Sequence, residues 1–147
     1  MSFDPTQKGD VKFYLEPDGG EMVIENGIAE MSSDLENMFL LCLLGGNYDD
    51  AATPDTAHLQ WLGNEDVAGQ QQYRSRFLHT LRAIPLNSTA IKTIREAAST
   101  DIALGFGDLL ESVSVSVQIL TNIRVGITCI TTLTTGASYT FRMELDK

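Results

Sequence analysis

The chain has 147 residues, 43% of them hydrophobic, 20% charged and only four prolines, a composition that supports one self-sufficient hydrophobic core. Its formal charge of −10 argues against a nucleic-acid partner, because affinity for phosphate backbones comes chiefly from neutralising cations. The longest apolar run, seven residues from Met38 to Leu44, is far short of the roughly 18 that suggest a membrane span.

The N-terminus, Met1-Ser2-Phe3-Asp4-Pro5, lacks the basic-then-apolar pattern of a secretory signal. Cys42 and Cys129 each fall inside an apolar periodic segment. They are therefore expected to be buried thiols, not a disulfide framework or metal ligands, in keeping with a reducing compartment. The charge is unevenly spread. Residues 1–72 carry fourteen acids against Lys8 and Lys12, whereas residues 73–95 carry Arg74, Arg76, Arg82, Lys92 and Arg95 with no acid. That basic stretch reads as a solvated helix face, or else as a strip that steers an acidic partner.

In chain order, Asp10 to Leu15 and Glu21 to Glu25 are short strands around Glu16-Pro17-Asp18-Gly19-Gly20. Proline and paired glycine there predict a β-hairpin over 10–27, closed by Asn26-Gly27. Ser33-Asp34-Leu35-Glu36 has capping-box spacing. Leu35, Met38, Phe39, Cys42 and Leu43 follow at helical intervals, so a helix is predicted over 34–44, stopped by Gly45-Gly46. Leu40, Leu41 and Leu44 widen its apolar face.

Residues 45–68 form an irregular loop, long enough to suggest a functional one, with the single tryptophan in Leu59-Gln60-Trp61-Leu62-Gly63-Asn64. A second helix is predicted over 70–83 with Tyr73, Phe77, Leu78 and Leu81 on one face, ended by Ile84-Pro85-Leu86. A third, capped by Asn87 or Ser88, carries Ile91, Ile94, Ala98 and Ile102 to about Leu104, where Gly105 and Gly107 interrupt it.

From Glu111 the period becomes two. Val113, Val115 and Val117 alternate with Ser112, Ser114 and Ser116; Ile123, Val125, Ile127 and Cys129 repeat the pattern. After a turn near Thr135-Gly136, so do Tyr139, Phe141, Met143 and Leu145. Three such strands with short connections over 111–145 make an antiparallel meander with one covered face. The expected fold is α+β in a single domain over 1–147: hairpin, three helices over 34–104, and a meander with the helices on its valine face.

Chemistry-bearing patterns are weak. His58 and His79 have no nucleophile or metal-ligand partner at useful spacing. Glu65-Asp66 and Asp49-Asp50 are adjacent loop acids of the kind that stay solvated. Gly105-Phe106-Gly107 follows a helix and precedes a strand, the reverse of a dinucleotide site. No catalytic, cofactor or metal site is assigned. What remains is surface. Strand 138–145 is expected at a sheet edge, where unpaired backbone groups invite a neighbour's strand, and Arg142, Glu144 and Lys147 are the charges that could instead shield it.

Several blocks taken in order then resemble the small baseplate wedge proteins of contractile-tailed phages, both the phage Mu-like wedge family and the T-even-type sheath-initiator family. They are Asp10-Val11-Lys12-Phe13-Tyr14-Leu15, Gly19 to Gly27, Leu43-Leu44-Gly45-Gly46-Asn47, Trp61-Leu62-Gly63-Asn64-Glu65, Ser75-Arg76-Phe77 and Leu81 to Leu86, then the helix to Leu104 and the closing strands. The resemblance implies a non-enzymatic virion protein of the tail baseplate, made in the host cytoplasm and present in multiple copies. Its partners would be other wedge or hub proteins and the tail sheath, with no nucleic acid or membrane and no cofactor. The expected role is sheath initiator, with a wedge subunit that never meets the sheath as the alternative. A carboxylate-dependent peptidoglycan hydrolase and a soluble adaptor are the rivals from other classes. Trp61, Gly63, Tyr139, Phe141, Arg142 and Met143 are the expected partner-interface residues.

Overall fold

A computed structural model of the chain describes residues 8–11, 13–16, 19–22, 24–26, 28–29, 31–46 and 74–147. Three α-helices and a three-stranded antiparallel sheet among them make the chain α+β. It divides into two compact units, Met1–Phe39 and Leu40–Lys147.

Among its described residues the first unit holds six short strands in three antiparallel pairs: β1 (Lys8–Val11) with β6 (Met31–Ser33), β2 (Phe13–Glu16) with β3 (Gly19–Met22), and β4 (Ile24–Glu25) with β5 (Ile28–Ala29). Helix α1 (Asp34–Leu44) follows with the predicted limits. Leu35, Phe39, Cys42 and Leu43 are buried, the i, i+4 and i+7 rows that the spacing called for.

In the second unit α2 spans Arg76–Ala83 and α3 spans Ala90–Phe106. Of the predicted start of α2, residues 70–73 lie outside the described residues and Arg74 and Ser75 are not helical. Ser75 sits at φ 48°, ψ 53°, a left-handed conformation that blocks helix propagation and costs a non-glycine residue about 1–3 kcal/mol.

Helix α3 runs two residues further than expected. Gly105 is helical and Phe106, the last helical residue, is buried. Burying a phenylalanine is worth roughly 1.5–3 kcal/mol, which outweighs the roughly 1 kcal/mol that glycine costs inside a helix. The stop comes instead at Gly107, at φ 54°. At the other end Asn87 supplies the expected cap: its Oδ1 accepts from the backbone N–H groups of Thr89 and Ala90, both at 3.1 Å.

Ala90, Ile94, Ala98, Ile102 and Phe106 form one buried ridge on α3, four residues apart. Alanines in that ridge let α2, with Phe77 and Leu81 buried, lie close; α3 in turn packs against the first strand of the sheet.

The sheet is a meander of β7 (Leu110–Ile119), β8 (Arg124–Leu133) and β9 (Ser138–Asp146), in that order. Val115 and Val117 are buried and Ser112, Ser114 and Ser116 exposed, as the alternation requires. Val125, Ile127, Cys129 and Leu133 complete the inner face with Phe141 and Met143. Thr131 is the polar member of that face, its hydroxyl donating to the Tyr139 carbonyl at 3.3 Å. Ile123, predicted to continue the apolar row, is exposed, because it lies in the β7–β8 turn.

The β8–β9 turn sets the register. Gly136 N–H donates to the Leu133 carbonyl and Leu133 N–H to the Ala137 carbonyl, both at 2.8 Å, with Gly136 at φ 87°. This is a type I turn closed by a glycine bulge, a geometry in which a Cβ would be strained.

Candidate assembly interface

Two features of the second unit are built by specific residues: the outer edge of the meander, and the hydrogen-bonded junction where the chain leaves α1 and returns to α2.

Within the sheet β9 has one neighbour among the described residues, β8. Its backbone therefore divides by parity. Antiparallel pairs alternate between those that exchange backbone hydrogen bonds and those that do not, and residues of the second kind aim N–H and C=O away from their partner. The Leu133 to Ala137 bond at one end and the Lys147 N–H to Ile123 carbonyl bond at the other give the same count. With Thr131 opposite Tyr139, Cys129 opposite Phe141 and Ile127 opposite Met143, these three β9 residues face inward along the ladder. Ser138, Thr140, Arg142, Glu144 and Asp146 thus present their backbone groups to the free edge.

The expected interface residues separate accordingly. Phe141 and Met143 keep only 5% and 8% of their surface and belong to the chain's own core, and Tyr139 is half-buried. Arg142 is exposed on the outer face. Trp61 and Gly63 lie outside the described residues, as do His58, Asp49, Asp50, Glu65 and Asp66. His79 is exposed on α2.

The outer face of the sheet is rich in hydroxyls. Register places Ser112, Thr132 and Ser138 in one cross-strand row, Ser114, Ile130 and Thr140 in the next, then Ser116, Thr128 and Arg142, then Gln118, Gly126 and Glu144. Ile130, 49% exposed, is the large apolar side chain in the middle of it. At the end of the sheet Arg124 engages both Glu144 (3.2 Å) and Asp146 (3.7 Å).

The second feature was not legible in residue spacing. The Ser75 hydroxyl accepts from Gly46 N–H at 2.7 Å and donates to the Cys42 carbonyl at 3.2 Å, both bonds buried. One side chain thereby satisfies a carbonyl at the C-terminus of α1 and fixes the residue that precedes α2. Two residues on, Phe77 N–H donates to Asp101 Oδ2 at 2.8 Å, so a carboxylate from α3 caps α2 across 24 residues of chain. Arg76 Nη1 lies 3.6 Å from Asp101 Oδ1, with the Asp101 side chain 1% exposed and that of Arg76 34%.

Burial is the largest influence on Asp101 and lifts its carboxyl from the ordinary 3.8 to about 6. The Phe77 and Arg76 backbone N–H groups and the Arg76 guanidinium oppose it without prevailing. Burial likewise pushes both Cys42 and Cys129 up to about 12, which makes them inert core thiols.

The basic stretch is partly consumed by these contacts. Arg76 faces Asp101, and Lys92 lies 3.8 Å from Glu96, while Arg82 and Arg95 are exposed. Among the described residues no group of three or more His, Cys, Asp or Glu could hold a metal ion, and no helix is long and apolar enough to cross a membrane. No protein-family model, curated protein or solved structure matches the chain.

Proposed function

We propose that the chain is a non-enzymatic structural protein of a contractile phage tail. It would be a baseplate component that acts as sheath initiator by accepting a strand from a sheath subunit at the edge of β9. The block-by-block sequence resemblance motivates the tail. The observation that carries the mechanism is the parity of β9: five residues offer backbone groups outward while Phe141 and Met143 hold the strand to its own core. A strand so anchored can gain a neighbour without giving up internal packing. With this role goes the finer architecture expected from sequence, an N-terminal hairpin over 10–27 ahead of helices that cover one face of the meander. The loop around Trp61 and Gly63 would meet a wedge or hub subunit.

The test removes one edge donor and leaves the ladder's own hydrogen bonds in place. Thr140→Pro deletes an N–H that the ladder does not use, a substitution that edge strands tolerate. The expected result is a folded protein with a melting temperature near the parent's, and tails whose baseplates lack sheath. Normally sheathed tails would rule out strand addition at β9. Baseplates that fail to form at all would favour the wedge role.

A further inference from the structure

On the outer face of the sheet, Ser116, Gln118, Gly126, Thr128, Arg142 and Glu144 surround an open depression of about 260 Å³, with Leu120 at its end. Three observations about it combine. First, Ser116, Thr128 and Arg142 stand in one cross-strand row, where neighbouring Cβ atoms are about 4.5–5.5 Å apart, so two hydroxyl-bearing side chains and an arginine line the same depression. Second, the two acids of β9, of which Glu144 lines the depression, are engaged by another arginine. Arg124 takes both Glu144 and Asp146, and Arg142 makes no ion pair among the described residues. Third, the central strand carries glycine in the adjoining row, between Gln118 and Glu144, so it raises no side chain of its own there and Leu120 lies beside it.

From this geometry we infer that the depression is a carboxylate clamp, which takes a glutamate or aspartate side chain of a partner protein between Arg142, Thr128 and Ser116. The guanidinium presents a planar fork that matches a carboxylate through two parallel N–H donors, and the hydroxyls each rotate to donate one more. All the donors bind an anion and none requires a metal. The chain's overall −10 charge does not forbid this, because charges beyond about 8–10 Å are screened at physiological salt while the clamp acts at contact. A protein carboxylate is chosen over a free anion because the clamp adjoins the edge of β9 and its mouth opens on a flat face. In that choice alone the inference rests on the proposed assembly role.

The test uses the full chain, labelled with 15N, and two capped tripeptides, acetyl-Gly-Glu-Gly-amide and acetyl-Gly-Gln-Gly-amide, at constant ionic strength. The glutamate peptide is expected to give saturable shifts at the Arg142 Nε–Hε and at the amides of Ser116, Gly126 and Thr128, and the glutamine peptide none. Arg142→Gln should abolish the response and Thr128→Val should weaken it several-fold. No response, an equal response to glutamine, or one that survives Arg142→Gln would overturn the clamp. An inorganic phosphate arm separates the sources: the same shifts at lower concentration than the peptide would make it a free-anion site and overturn the protein carboxylate. Edge and clamp can fail separately, since the tail assay on Thr140→Pro reads the backbone of β9 and this titration reads the face.

Discussion

At Asp101 two opposing influences meet. Capping a helix N-terminus beside an arginine favours the carboxylate, while near-complete burial favours the neutral acid, and burial wins. The folded chain thus binds this proton more tightly than the unfolded chain does. The stabilisation that follows is fully present below about pH 4 and is lost as pH rises through about 6, a change on the order of 3 kcal/mol. Asp101→Asn keeps an acceptor for Phe77 N–H and removes the charge. Urea denaturation at intervals between pH 4 and 7 should show a shallower loss of stability in the variant than in the parent. Parallel curves would mean that the carboxyl titrates at its ordinary value. No sequence pattern marks this residue, because Asp101 meets its partner 24 positions away and looks, by spacing, like any polar residue in an amphipathic helix.

Among the elements, the legible ones were those whose own period settles their partner. Val113, Val115 and Val117 against three serines leave one arrangement open to a half-buried strand, and the capping box and paired glycines that flank the apolar spacing of α1 marked its limits. The start of α2 was not legible, since helix propensity over 74–75 is unremarkable and the break comes from a tertiary bond. Ser75 holds its left-handed backbone because its hydroxyl serves Gly46 and Cys42 at once. Ser75→Ala should therefore cost about 1–3 kcal/mol, with two buried groups left unpaired. Ser75→Gly loses the same bonds but relieves the backbone, so it should be the milder variant, by up to about 1 kcal/mol. Chemical denaturation of both tests this; alanine as the milder change would show that the junction is not held by the hydroxyl. The parity of β9 was equally hidden, because it depends on the register set by a five-residue turn, which the Leu133 to Ala137 and Lys147 to Ile123 bonds reveal.

For the whole molecule, the Gly46–Ser75 bond has a consequence for the residues between. The chain departs and returns at points one hydrogen bond apart, so a short linker is long enough to join Gly46 to Ser75. A chain in which four or five Gly/Ser residues replace residues 48–72 should still close the Gly46–Ser75 bond, since the closure entropy of a flexible linker falls by about 0.6 kcal/mol with each halving of its length. If the Trp61 loop is a partner contact, the shortened protein should melt normally yet fail to enter baseplates. Loss of folding would show instead that the segment belongs to the core.

The parity of β9 also governs what an added strand would inherit. The residues that own the free edge, Ser138 to Asp146 by twos, are the same ones whose side chains make the hydroxyl face. A strand joining there would have to present its own alternate residues on that face, in register with Thr140, Arg142 and Glu144. A partner carrying an acid at the position opposite Arg142 would then be selected by alignment as well as by affinity. Slipping the incoming strand by one residue would turn that acid toward the buried side, where nothing receives it. Edge and face would act together as a ruler, with the charge marking the one register in which the two chains fit.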